Sequence, residues 1–267
     1  MRGEATYRAV VEYDGTEFNG FQFQPHLRTV AGTLETALSR LFDRPVKVTA
    51  AGRTDAGVHA VGQVISFVAH DAFPIEKLAL ALNSMLPRDL SVRAGARAEE
   101  GFSARLTALD RSYTYLIFNR NEASAIARRW SAFEHRPLDL DAMRGAAAHV
   151  VGTHDFRTFC GVLPERGGTV RRLDRLEIER EGDFVRLQFR ADGFLHRMVR
   201  VITGTLIEIG TGRRPADAMP SMLAALDRRA AGLTAPPQGL YLVEVRYPSF
   251  SSRPEGGLRS PLAFVAG

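Results

Sequence analysis

The residues with the clearest capacity for chemistry lie in one short segment, Gly-Arg-Thr-Asp-Ala-Gly-Val-His at positions 52–59. The segment falls between two predicted strands, so we expect it to form a loop. Gly52 and Gly57 let the backbone turn sharply around Arg53 and Asp55, which would present a guanidinium beside a carboxylate. A carboxylate can act as a nucleophile without an activating base. Periodicity alone favours a plainer interpretation, in which Asp55 stabilises a turn.

Other familiar catalytic patterns do not occur in the sequence. It contains no G-x-x-x-x-G-K-[ST] phosphate loop, no H-E-x-x-H zinc helix and no G-x-S-x-G elbow. His149 and His154 are five residues apart, a spacing that does not place two ligands on one helical face. The single cysteine, Cys160, excludes an internal disulfide. We therefore predict neither a metal nor a cofactor, and a reducing cytoplasmic location.

Five segments, in order along the chain, resemble motifs of the tRNA pseudouridine synthase A family. They are Glu12-Tyr13-Asp14-Gly15, the segment at 52–59, Arg111-Ser112-Tyr113-Thr114-Tyr115, Phe194 to Arg200, and Gly239 to Leu242. One departure is visible, because the family usually has Trp-Gln where this chain has Phe21-Gln22. Phenylalanine keeps the apolar bulk of tryptophan but lacks the indole N–H donor.

The resemblance implies a reaction. A uridine at nucleotide 38, 39 or 40 of the tRNA anticodon stem-loop would be converted to pseudouridine without cofactor or metal. The bond from C1′ to N1 breaks, and C5 is joined to C1′. Asp55 is the implied catalytic residue, and it would either attack C1′ or remove a proton from C2′. The family also implies a homodimer, with one tRNA touching both subunits.

The same resemblance implies three substrate-binding residues, each of which has a plainer alternative. Arg200 would supply the cation that a buried carboxylate needs, or it is a solvated arginine on a helix face. Tyr113 would stack on the flipped target base, or it is a strand aromatic packed in the core. Arg53 would fill the gap left in the RNA stack, or it binds a phosphate or stabilises the turn.

The elements that must position these residues repeat one order, β-α-β-β-α-β. In the first half we predict strands at 7–13, 46–50, 63–68 and 90–94, and helices at 30–42 and from Pro74 to about Leu82. In the second half we predict strands at 112–118, 170–179, 184–191 and 240–247, and helices at 139–150 and 194–209.

This order predicts an α+β fold of two ferredoxin-like halves that share a mainly antiparallel sheet. The active-site cleft is expected between the halves. We predict an N-terminal half at 1–105 with the Asp55 loop, a basic half at 106–248 and an irregular tail at 249–267. No apolar run is long enough to span a membrane, and the first residues do not read as a secretory signal.

The charge distribution favours a polyanionic partner. The 267 residues carry a net charge of +5, and Lys47 and Lys77 are the only lysines among 35 basic residues. Residues 1–105 hold 12 basic and 12 acidic side chains, whereas residues 106–267 hold 23 and 18. The whole excess therefore lies in the second half, which suits contacts with phosphates. The preference for arginine over lysine is more simply explained by genomic base composition.

Two other classes of function fit parts of the sequence. A tRNA chaperone without catalytic activity would explain the strand aromatics and the basic half, but it has no use for an acid at the centre of the segment at 52–59. A metabolic enzyme of ferredoxin-like fold would explain the order of elements. It is disfavoured by the missing cofactor loops and by the basic second half.

Overall fold

The computed structural model describes residues 3–70 and 73–253. Within this range the chain divides into two compact units. The first unit comprises residues up to 109 together with 242–253, and the second comprises residues 110–241. The predicted irregular tail lies outside the described residues from position 254 onward.

The first unit follows the predicted order β-α-β-β-α-β. Its elements are β1 (Glu4–Tyr13), α1 (Val30–Phe42), β2 (Thr49–Ala50), β3 (His59–His70), α2 (Leu78–Asn83) and β4 (Leu90–Arg97), with short 3-10 turns at Gly15–Glu17 and Ile75–Lys77. Strand β1 lies between β4 and β3, and β2 pairs with β3. All of these pairings are antiparallel.

Helix α1 has the bounds that its sequence predicts. The Thr29 side chain caps its start by accepting a hydrogen bond from the Gly32 amide. Asp43, in the left-handed conformation, ends it. The apolar stripe that includes Leu34 and Leu38 is buried, and burial of this stripe holds the helix against the sheet.

Strand β1 alternates strictly between buried and partly exposed residues. Every second side chain, from Ala5 to Tyr13, is buried, as expected for a strand with one face on the core. Tyr13 is the last inward-facing residue of the strand. Its ring is 3% exposed.

The second unit has more elements than predicted. They are β5 (Asp110–Asn119), β6 (Ala132–Glu134), α3 (Leu140–Ala148), β7 (Gly152–Asp155), β8 (Val170–Glu181), β9 (Phe184–Ala191), α4 (Met198–Gly210), α5 (Met219–Ala225) and β10 (Leu240–Arg246). The strand order is β5-β9-β8-β7, with β6 parallel to β5. The other pairs in this series are antiparallel. Strand β10 begins in this unit and enters the first unit at Leu242.

The predicted helix at 194–209 is wrong in its first turn. Helix α4 begins at Met198, because Arg197 has a φ of 60° and is left-handed. A left-handed residue cannot be part of a right-handed helix. The short elements β6, β7 and α5 were not predicted, since segments of three to seven residues carry little periodic signal.

The α+β class and the mainly antiparallel pairing are confirmed. Within the described part of the chain, every helix is too short or too polar to cross a bilayer.

Candidate active site

Residues 52–59, here called the motif loop, follow β2 and extend to the first residue of β3 in the first unit. Arg53 is exposed, and Asp55 is half-buried. Thr54 between them is 7% exposed, so a buried side chain lies between an exposed one and a half-buried one. Residues 52–58 thus form a loop between two strands, as the sequence predicts.

The backbone of the motif loop is hydrogen-bonded to the segment that follows β1. The Phe21 amide donates to the Thr54 carbonyl oxygen at 2.9 Å, and the Gly57 amide donates to the Phe18 carbonyl oxygen at 3.3 Å. Within the loop, the Val58 amide donates to the Asp55 carbonyl oxygen at 3.2 Å. The Asp55 backbone therefore takes part in a turn of the loop.

Gly20 allows this close approach. Its φ is +85°, and a Cβ at this position would lie 2.9 Å from the Thr54 carbonyl oxygen and 3.3 Å from the Asp55 carbonyl carbon. An L side chain would thus meet both backbone strain and the motif loop itself. The backbone at residue 20 therefore packs directly against the backbone of residues 54–56.

Asp14 and His59 join the start of the 3-10 turn to the end of the motif loop. The Asp14 carboxylate oxygen Oδ1 lies 3.1 Å from Nδ1 of His59, which is 2% exposed. Both the amide and the hydroxyl of Thr16 donate to the same oxygen. Burial by itself would raise the pKa of Asp14, but the hydrogen bonds from His59 and Thr16 outweigh it and lower the pKa to about 2.

Sequence reasoning did not select Asp14 or His59 as site residues, although both lie within quoted motifs. The signal that could have found them is the pair of groups in two motif segments: a carboxylate in the segment at 12–15 and an imidazole at the end of the segment at 52–59. Phe21, where the family usually has tryptophan, is 3% exposed. Its ring packs near Tyr13, at a centroid distance of 6.4 Å, so the replacement falls in the core.

In the second unit, Tyr113 lies on β5 opposite Phe189 of β9. The Tyr113 side chain is 8% exposed and meets the Phe194 ring edge-on, with the ring centroids 5.0 Å apart. Most of the ring is therefore packed within the protein. Phe194 belongs to the segment at 194–200, so two of the quoted motifs meet here.

Arg200 is half-buried on α4. Its Nε donates to the Ala235 carbonyl oxygen at 2.8 Å, so the side chain is tied to the protein rather than solvated on a helix face. Tyr115 is fully buried, and burial raises its pKa, while the charge of Arg200 opposes that shift. The fixed positive charge of Arg200 thus lies near β5.

The second unit is also the basic one. Residues 110–241 hold 20 arginines and 16 acidic side chains. Several of these arginines form ion pairs with neighbouring carboxylates, as Arg214 does with Glu208 at 2.9 Å. Within residues 3–70 and 73–253, no group of three or more His, Cys, Asp or Glu side chains is arranged to hold a metal ion.

Comparison with known proteins identifies the family. A family profile described as tRNA pseudouridine synthase matches residues 9–103 and 146–248. The chain is 42% identical over 242 residues to the tRNA pseudouridine synthase A of Bacillus pumilus (strain SAFR-032), covering 90% of this chain and 98% of that one. It is 43% identical over 231 residues to the protein of the same name from Halalkalibacterium halodurans, covering 86% and 88%.

Among solved structures, the chain is similar to one in the archaeal box H/ACA sRNP Nop10-Cbf5 complex. That similarity covers 76% of this chain and 44% of the other, at 12% identity and a TM-score of 0.34.

The matched segments cover most of both units and include the whole motif loop, which defines the class as an isomerase that rearranges uridine in RNA. The chain belongs to the tRNA pseudouridine synthase family, and its reaction converts uridine in tRNA to pseudouridine. The resemblance found in the sequence is thereby confirmed.

Proposed function

We propose that the enzyme acts on uridines at nucleotides 38, 39 and 40 of the anticodon stem-loop, with Asp55 as the catalytic residue. The observation that carries this proposal is the motif loop, which holds a half-buried Asp55 beside an exposed Arg53. A half-buried carboxylate on a hydrogen-bonded loop suits attack on a ribose carbon. A loop that only bound phosphates would gain nothing from this acid.

The reaction requires one bond to break and another to form. Asp55 either attacks C1′ as N1 departs, or removes a proton from C2′ to give a glycal. In both routes the uracil turns over and C5 bonds to C1′. The bond between Asp55 and C1′ breaks as this bond forms in the first route, and the proton returns to C2′ in the second. The proton on C5 then leaves and N1 gains one, so atoms and charge balance without a co-reactant.

Three further residues are proposed to bind the substrate. Base flipping costs a few kcal/mol, and stacking on an aromatic ring contributes about 1–3 kcal/mol per base. Tyr113 is proposed to provide that stacking surface. Arg53 is proposed to fill the vacated space in the RNA stack, because its planar head matches a base in shape. Arg200 is proposed to supply fixed positive charge.

Two proposals rest on the family alone. One is that the enzyme works as a homodimer, and the other is that it acts in the cytoplasm, where tRNA is processed. Sedimentation of the purified protein with and without tRNA tests the first. A monomer in both states would contradict it.

The experiment that tests the proposed function uses unmodified tRNA transcripts with uridine at 38, 39 and 40. After incubation, pseudouridine is mapped chemically along each transcript. We expect new pseudouridine at these three positions, and its loss at whichever position is changed to cytidine. Pseudouridine at other positions would contradict the proposed specificity. Bound tRNA without any pseudouridine would instead support the chaperone alternative.

A further inference from the structure

Beneath the motif loop lies a buried polar side chain that the mechanism does not use. Gln63 lies on β3 and has no exposed surface. Its Nε2 donates to the Gly52 carbonyl oxygen at 2.7 Å, and its Oε1 accepts from the Gly52 amide at 3.4 Å. The side-chain amide of Gln63 therefore bonds both the backbone carbonyl and the backbone amide of the first residue of the loop.

A second buried contact holds the middle of the loop. The Tyr13 hydroxyl lies 2.8 Å from Thr54 Oγ1, and Gln63 Nε2 donates to the same hydroxyl at 3.5 Å. Because an amide nitrogen can only donate, the Tyr13 oxygen accepts from Gln63 and its proton is available to Thr54. Thr54 precedes Asp55 directly, so this bond fixes the backbone from which the Asp55 side chain departs.

The three side chains of this hydrogen-bond network are buried, so breaking any of its bonds is costly. Tyr13, Thr54 and Gln63 are 3%, 7% and 0% exposed, and a buried polar group without a partner is costly. Other loop arrangements would break these bonds where water cannot replace them. Burial also raises the pKa of Tyr13 to about 12, so its hydroxyl keeps its proton at any physiological pH.

We propose that Tyr13 and Gln63 are positioning residues, which hold the motif loop so that Asp55 meets the target ribose in reactive geometry. The proposal rests on the proposed catalytic role of Asp55. Neither side chain is accessible to RNA, so both act only through the loop.

A positioning role for Tyr13 and Gln63 should affect kcat rather than KM. Reaction requires the attacking atom to be held about 3–3.5 Å from its target, and a misplacement of about 1 Å can cost 100-fold in rate. Loosening the loop should therefore lower kcat. The KM for tRNA should stay nearly unchanged, because RNA contacts elsewhere remain.

The first test is Tyr13→Phe, which removes only the hydroxyl. We expect kcat in the folded fraction to fall about 10- to 100-fold, with KM changed by less than about twofold. The matched control is Tyr7→Phe on the same strand, whose hydroxyl donates to the His70 carbonyl oxygen at 3.1 Å. This control loses a comparable bond far along the strand from the motif loop and should keep wild-type kcat.

The second test changes Thr54, the other partner in the hydrogen bond with the Tyr13 hydroxyl. Thr54→Val should lower kcat as Tyr13→Phe does, and Thr54→Ser, which keeps the hydroxyl, should restore most of it. The double variant Tyr13→Phe with Thr54→Val should be no slower than the slower single variant, because both remove one interaction. Removing both partners also leaves no buried hydroxyl unsatisfied, so this variant remains testable if a single one folds poorly.

Wild-type kcat in the folded fraction of Tyr13→Phe and of the double variant would overturn the proposal. Losses that multiply in the double variant would also overturn it. Asp55→Asn separates this failure from failure of the proposed function. If Asp55→Asn abolishes turnover while Tyr13→Phe is unaffected, only the positioning role is wrong. If Asp55→Asn retains turnover, the catalytic assignment itself is wrong.

Discussion

The two units place their proposed site residues by different means. In the first unit, Asp55 lies on a loop, and backbone hydrogen bonds and buried polar side chains hold that loop. In the second unit, Tyr113 and Arg200 lie on regular elements, a strand and a helix. Their placement follows from strand register and helix packing, with one added hydrogen bond from Arg200 to Ala235.

The difference shows what each kind of placement requires. In a strand or a helix the backbone hydrogen bonds of the element itself fix the conformation, so each side chain points in a direction set by its position in the element. A loop lacks this regular series of backbone hydrogen bonds, so individual contacts with the rest of the protein must fix its conformation. The motif loop should therefore be sensitive to single polar or glycine substitutions. The Tyr113 and Arg200 sites should instead respond mainly to changes in packing.

The largest effect is expected for Asp55→Asn, which keeps the shape of the side chain and removes its charge. Turnover at saturating tRNA should fall at least about 1,000-fold, as it does when a catalytic nucleophile is removed. Binding of tRNA, measured by filter retention, should survive. Retention of a tenth of wild-type turnover would show that Asp55 is not the catalytic residue.

The dependence of tRNA affinity on salt concentration should distinguish the residues that bind RNA from those that act in catalysis. Each phosphate neutralised adds about 0.7–0.9 to the slope of log affinity against log salt, so a slope near −3 would mean about four phosphates. We expect at least this slope for the wild type, because the second unit is basic. Asp55→Asn should have the same slope, since its carboxylate neutralises no phosphate. An affinity that does not change with salt would remove electrostatics as the main source of binding.

Gly20→Ala tests how closely the motif loop is held. The new Cβ would lie 2.9 Å from the Thr54 carbonyl oxygen, so the loop must shift, and we expect turnover to fall about 10-fold or more. Gly101→Ala is the matched control. Gly101 also has a positive φ, +76°, but a Cβ there meets nothing within 4 Å.

Both glycine variants should lose about 1–2 kcal/mol of stability from backbone strain. Equal turnover in the two variants would mean that the loop tolerates displacement.

Tyr113 tests the contrasting case, in which a residue is held by packing. Because its ring is 8% exposed, Tyr113→Ala should cost about 3–5 kcal/mol of unfolding free energy. Tyr113→Phe keeps the ring, so stability should change by about 1 kcal/mol or less and tRNA binding should be retained.

The proposed stacking role of Tyr113 predicts slow single turnover for Tyr113→Ala even in its folded fraction, with Tyr113→Phe much less affected. A wild-type rate in folded Tyr113→Ala would assign the ring to the core alone.

The smallest effect is expected for Asp14→Asn, which weakens the link to His59. The pKa of Asp14 is lowered to about 2 by its hydrogen bonds, in spite of burial. A depressed pKa means that the ionised form stabilises the fold above about pH 4, and that this stabilisation is lost as pH falls toward about 2.

The Tm difference between wild type and Asp14→Asn should therefore be largest near neutral pH and shrink below about pH 4. A difference that is constant with pH would show that the carboxylate charge does not matter.

The sequence by itself determined much of this protein. The motif loop and its two glycines, the bounds of α1 and the alternation of β1 can be read from local pattern, because caps, periodicity and turn residues act between near neighbours. The five collinear motifs also indicated the family, and through it the reaction.

The tertiary structure alone decided how the motif loop is held. Tyr13 and Thr54 are 41 residues apart, and Gln63 is 50 residues from Tyr13. Their contacts depend on the antiparallel register of β1 and β3, which places Tyr13 opposite Ala60. Register follows from burial of a whole sheet face, and no local pattern specifies it. The left-handed Arg197 and the buried Phe21 were decided in the same way, by packing that joins distant parts of the chain.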